Sequence, residues 1–252
     1  MESGHNTPIL GALAEYNTNL SFVVMNNFTL EGMLGPLQCN ELTSETTTNT
    51  IHEVFSELAA IVAQNNVQYI NWSSGFDQGV IKIWVISKCP ADASIDQTVK
   101  HIERAIADGL KHFDNHSSAL LIQSAPYAGH PSEVDCDTDL GGRILIGAIS
   151  GEGMEQGHCM NVSMDLGLSF LESNPKEFRY GSHFGLGQRR VADVSSTSLA
   201  APLAASWISY LRKVEFASTP WSIDLRNQLK SRMMEQVVVA PIEAQEVIRV
   251  NL

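Results

Sequence analysis

Short apolar runs alternate along this chain with longer segments whose apolar residues recur at helical spacing, and that alternation constrains the fold more than any other feature. A compact β-branched run buried on both faces belongs in a parallel sheet, which needs crossover helices to join and cover its strands. Leu20 to Met25, Val67 to Trp72, Ala119 to Ile122 and Arg143 to Ile149 read as such strands, and Val162 to Phe170 as a weaker one interrupted by Asp165 and Gly167. Pro8 to Glu15 reads as a short helix. Thr50-Ile51-His52-Glu53 fits a capping box, followed by a stripe of Ile51, Val54, Phe55, Leu58, Ile61 and Val62 that stops at Asn65-Asn66. Ile95, Val99, Ile102, Ile106, Leu110 and Phe113 trace a second amphipathic helix. Asp114 and Asn115 then mark its end, which leaves His112 and His116 as surface residues and not metal ligands.

Glu41 to Asn49 reads as a polar loop, and Val80 to Ile86 as an additional strand. A polar helix around Ile223 to Gln236 precedes a terminal apolar hairpin, Val237 to Val250. With 252 residues and 44% hydrophobic content, the chain can bury a substantial core, and it reads as one domain over 1–252, with the hairpin at about 235–252. A formal charge of −12 argues against a nucleic-acid surface, and no apolar run is long enough to span a membrane. Met-Glu-Ser-Gly-His is no signal peptide, so cytoplasmic placement is the default and the compartment stays open. Cys39, Cys89, Cys136 and Cys159 lack the Cys-x-x-Cys spacing of a zinc site or redox pair, and whether they pair is open at this level.

Chemistry concentrates at Thr197-Ser198-Leu199-Ala200-Ala201-Pro202. Leu203, Trp207 and Leu211 continue it at helical spacing, so Ser198 opens an apolar helix with Pro202 in its first turn. A hydroxyl there lies at the positive end of the helix dipole, which suits a nucleophile that generates an oxyanion. A serine at a helix start is equally a helix cap.

Ser196-Thr197-Ser198-Leu199-Ala200-Ala201-Pro202 resembles the nucleophile motif of subtilisin-like serine proteases, Gly-Thr-Ser-Met-Ala-Ala-Pro. Gly4-His5-Asn6-Thr7-Pro8-Ile9-Leu10-Gly11 resembles the family's histidine motif, with Asn6 for a Gly and Pro8 for a second His. Tyr69-Ile70-Asn71-Trp72-Ser73-Ser74-Gly75 is similar to the strand end that holds substrate backbone. The three stand in the family's order. The resemblance implies a three-layer α/β fold with a mostly parallel central sheet, a Ser198 nucleophile, a His5 base, and Ser73, Ser74 and Gly75 as substrate contacts. The reaction would be serine endopeptidase hydrolysis of a peptide or protein substrate.

Two parts of that machinery depart from the pattern. The triad's Asp belongs on a strand before the histidine motif, and only Met1 to Gly4 precede His5, so the Asp strand is expected from a separate N-terminal segment. At the oxyanion Asn the sequence has Tyr127, after Ser124-Ala125-Pro126. The alternative is therefore a catalytically impaired module of the same fold that binds peptides or partner proteins. No cofactor is expected. Asp135, Asp137 and Asp139 faintly resemble a calcium loop, but Ile146 stands where the twelfth-position Glu would be, and an acidic surface loop is the simpler reading.

Overall fold

The computed structural model describes residues 28–73, 76, 78–90, 94–126, 136, 140–149, 155–156, 159–165, 197–235 and 238–239, with the single residues Leu13, Ser21 and Val23. Its elements are α1 (Leu30–Leu34), a 3-10 turn (Cys39–Glu41), α2 (Glu45–Gln64), β1 (Tyr69–Trp72), α3 (Gln78–Lys88), α4 (Ile95–His116), β2 (Leu120–Ser124), β3 (Arg143–Ile149), β4 (Glu155–Gln156), β5 (Val162–Asp165), α5 (Thr197–Glu215), α6 (Ile223–Met234) and β6 (Val238–Val239). The sheet runs β1-β2-β3-β5-β6 with every neighbouring pair parallel, and β4 pairs antiparallel with β3. The chain is an α/β protein with a mostly parallel central sheet.

Side-chain alternation along the strands divides the core in two. Leu120 and Ile122 of β2 face a cluster built with Ala200, Ala201, Ala204, Trp207 and Ile208 of α5 and Leu229 of α6. Ala119 and Leu121 face the other way, onto Ile51 and Phe55 of α2, Ile81 and Val85 of α3, and Ile102 and Ile106 of α4. Helices cover both faces of the sheet, as a parallel sheet requires.

Tertiary contacts changed several local expectations. The Val80 to Ile86 run is helical, not a strand. Ile81 and Val85, one turn apart, are fully buried, while Val80, Ile83 and Ile86 face solvent. Trp84 Nε1 donates to Glu31 at 2.9 Å, Lys88 pairs with the same carboxylate at 3.2 Å, and the next residue, Cys89, is bonded to Cys39. These contacts repeat at helical spacing, and they override the β-branched composition. Helix α2 begins at Glu45, capped by the Ser44 hydroxyl accepting from the Thr46 N–H at 3.2 Å, so the box at Thr50 lies inside the helix. Residues 45 to 49 thus belong to its first turns rather than to a polar loop. Asn65 and Asn66 do end it, with Asn66 in the left-handed region at φ 52°.

Helix α4 continues through Asp114 and Asn115 to His116. Asp114 is held there by Arg226 of α6, at 3.1 Å, and by the Gly142 N–H at 2.8 Å. Arg226 also donates to the Ser117 carbonyl at 3.0 Å, so one buried guanidinium ties α6 to the end of α4. Gly142 has no room for a Cβ, which would collide with that ion pair. At the C-terminal end, Val238 and Val239 pair parallel with β5, and the rest of the Val237 to Val250 hairpin lies outside the described residues. Val23 and Ser21 are exposed and outside any strand; the rest of the Leu20 to Met25 run lies outside the described residues, as does all but Leu13 of the Pro8 to Glu15 helix.

The cysteines pair as Cys39–Cys89 and Cys136–Cys159, 50 and 23 residues apart. Loop-closure entropy of that size stabilises the folded state by about 4 and about 3 kcal/mol respectively. No helix among the described residues is long and apolar enough to cross a membrane.

Candidate functional site

Helix α5 is the element that positions the candidate nucleophile. Its far end lies at the start of the strands: Arg212 acts electrostatically on Tyr69, the first residue of β1. Just beyond the helix, Trp221 packs edge-on against Tyr69 at 5.2 Å and donates from Nε1 to the Ser118 carbonyl at 3.1 Å, ahead of β2. The helix packs on β1, β2, β3 and β5. It therefore runs against the strand direction and directs its N-terminus to their carboxyl ends. A helix of 19 residues spans about 28 Å, longer than these strands, so its first turn stands at that edge. The carboxyl edge is where open α/β sheets bind ligands.

The helix sits close to the sheet because its inner face is small. Ala200, Ala201 and Ala204 are fully buried, with Trp207 and Ile208 filling the space beyond them. Thr197 is the first helical residue and is buried; Ser198, the second, is half-buried. Ser198 thus belongs to the first turn of the helix. Pro202 lies in the second turn, not the first as expected, and has no N–H to offer the Ser198 carbonyl.

Ser73 directly follows β1, and its hydroxyl accepts from Asn71 Nδ2 at 2.9 Å. The Asn71 Oδ1 atom is buried with no hydrogen-bond partner among the described residues. An orphan acceptor at a strand's carboxyl end costs stability unless a donor reaches it, and a ligand N–H is such a donor. Sequence reasoning gave Asn71 no role; its signal was its place two residues before Ser73 in the strand-end motif.

The first two residues after β2, the only ones of this turn described, offer no free N–H to an oxyanion. The Ala125 N–H is already bonded to the Ile146 carbonyl at 2.8 Å, and Pro126 has no N–H. Of the other predicted site residues, His5, Ser74, Gly75, Tyr127, Asp135, Asp137 and Asp139 lie outside the described residues. Leu13 is helical and packs on the same cluster as α5, and Cys136, inside the acidic loop, is tied to Cys159. At the opposite end of the sheet, burial pushes the Tyr69 phenol well above its ordinary pKa, with nearby Arg212 opposing; this phenol stays protonated.

No family model, curated protein or solved structure matches this chain.

Proposed function

We propose that this chain is the catalytic domain of a subtilisin-like serine endopeptidase, with the three-layer fold of that family. The observation that carries the reading is Ser198 in the first turn of an apolar, alanine-faced helix aimed at the carboxyl edge of a parallel sheet. Ser198 would attack the scissile carbonyl. His5 would take its proton and return it to the leaving amine. The strand end at Ser73, Ser74 and Gly75 would hold the substrate backbone, with Asn71 Oδ1 available to accept a peptide N–H. Among the described residues β1 is paired on one side only. A strand carrying the third catalytic carboxylate, supplied by an N-terminal segment, would pair on its other edge. The two disulfides favour an oxidising compartment over the cytoplasmic default.

A fluorophosphonate probe tests the assignment. It labels Ser198 in the protein supplied with the N-terminal segment, and labelling disappears in Ser198→Ala. Equal labelling of the two proteins, or of neither, sinks the nucleophile.

A second reading has its own support in the turn after β2, where the Ala125 N–H is engaged and Pro126 has none to give. A site without an oxyanion donor there would bind extended peptides and not turn them over. Saturable peptide binding without cleavage, unchanged by His5→Ala, distinguishes this module from the enzyme.

A further inference from the structure

The two disulfides favour folding in an oxidising compartment, where the triplet Asn-x-Ser/Thr, with x other than Pro, is the acceptor for N-linked glycosylation. Such triplets begin at Asn19, Asn27, Asn71, Asn115 and Asn161. Asn19 and Asn27 lie outside the described residues. The other three, Asn71-Trp72-Ser73, Asn115-His116-Ser117 and Asn161-Val162-Ser163, share one local code, and the fold treats each differently.

A glycan is bulky and hydrated, so the amide that carries it must project from the folded surface. Asn71 fails this requirement. It stands inside β1, where its Nδ2, the atom a sugar would occupy, donates to Ser73 Oγ at 2.9 Å, and its Oδ1 is buried. Asn161 fails it as well. Its N–H donates to the Leu145 carbonyl at 2.9 Å and its Oδ1 accepts from the Leu145 N–H at 2.8 Å, which holds the side chain against β3 at the entry to β5. Asn115 meets it. This residue lies in the last turn of α4 and is exposed. Its neighbours are fastened by one buried guanidinium: Arg226 pairs with Asp114 at 3.1 Å and donates to the Ser117 carbonyl at 3.0 Å. The turn that presents Asn115 is thus held by the residues around it.

We infer that Asn115 carries an N-linked oligosaccharide. The donor is a lipid-diphosphate-linked oligosaccharide. Asn115 Nδ2 attacks its anomeric carbon, a C–N bond forms as the C–O bond to the diphosphate breaks, Nδ2 gives up one proton, and the lipid diphosphate leaves. Transfer takes place on the extended chain, before Ser117 is buried and its hydroxyl is engaged in accepting from the Ala119 N–H at 3.1 Å. The same transfer at Asn71 or Asn161 would set a sugar within the sheet, and a chain so modified would not fold. Helix α4 ends where the chain turns into β2, so Asn115 stands at the amino ends of the strands, away from the carboxyl edge that Ser198 faces. The glycan covers that end of the molecule and leaves the candidate site open. The inference holds whether or not Ser198 is a nucleophile.

The test is site-specific mapping of the full-length chain isolated from its native source. Release of the sugar by peptide N-glycosidase in heavy-oxygen water converts the carrier asparagine to a labelled aspartate, which peptide mass spectrometry locates. Label is expected at the Asn115 position, absent from a digest without the glycosidase, and the peptides holding Asn71 and Asn161 should be unlabelled. In a eukaryotic secretory host, Asn115→Gln should lose the mass of one glycan, read as an electrophoretic shift, while Ser117→Thr should keep it. The mapping of the unaltered chain reads the site even if a variant folds poorly. An unlabelled Asn115 peptide from the native protein, label at Asn71 or Asn161 in folded protein, or an Asn115→Gln chain that migrates like the unaltered one overturns the proposal.

Discussion

The two faces of the sheet are built from different materials. Under α5 the core is fine-grained, with five buried alanines and one buried indole, Trp207, beside the partly buried Trp221, so that a long helix lies close to the strands. Under α2, α3 and α4 it is coarse-grained. Phe28 meets Phe55 and Trp72 edge-on, each at 5.0 Å, and Trp72 meets Phe76 at 4.9 Å. Small side chains fix the height and direction of a helix with little freedom to slide, because any enlargement displaces the backbone. Large aromatic rings contribute more buried area and tolerate more adjustment. The fine face carries Ser198; the coarse face carries the edge-on aromatic cluster.

Removing a ring from the coarse face is expected to have the largest effect. Phe55 is fully buried against Phe28, and Gly109 of α4 approaches it so closely that a Cβ there would collide with the ring. Phe55→Ala should cost about 3–5 kcal/mol, measured as a lowered urea midpoint. Labelling of Ser198 in the protein that remains folded should keep its rate. A large fall in that rate would break the division of labour between the faces.

Enlarging the fine face should show the reverse pattern. Ala204→Leu should cost about 1–3 kcal/mol by overpacking, and should slow Ser198 labelling in the folded protein by lifting the helix N-terminus. Lost stability with unchanged labelling would show that α5 can shift without disturbing its first turn.

The smallest effect is the pH response of the α2–α4 surface. The folded-state pKa of His112 lies below the ordinary value of 6.5, so the unfolded chain takes up its proton first as pH falls. The protein should lose a little stability as pH falls below about 6.5, levelling off once the folded-state ring also protonates. Urea midpoints between pH 5 and 7.5 read this, and His112→Asn should flatten the profile. A midpoint that instead rises on acidification over that range would reverse the assigned shift.

Much of the scaffold was legible because its signals are local. The stripe from Ile51 to Val62 and the stripe from Ile95 to Phe113 both became helices, since every apolar position lay on one face. Ser198 at a helix start was readable for the same reason. The Val80 to Ile86 segment was not, because a short β-branched run satisfies strand and helix patterns alike. The ring contact between His112 and His116 was hidden by a boundary: Asp114 looks like a helix terminator until Arg226, 112 residues away, pairs with it.

The sequence by itself determined that helices and strands alternate, that the central strand β2 is buried on both faces, and that a serine opens an alanine-rich helix. Each is a statement about residues within a few positions of one another, where periodicity and propensity act. Tertiary structure alone decided that Val80 to Ile86 coils, that Cys39 meets Cys89 and Cys136 meets Cys159, and that His52 faces His112. It also made Val238 and Val239 a parallel neighbour of β5. These depend on contacts between distant segments, whose energies exceed the few tenths of a kcal/mol by which local preferences differ.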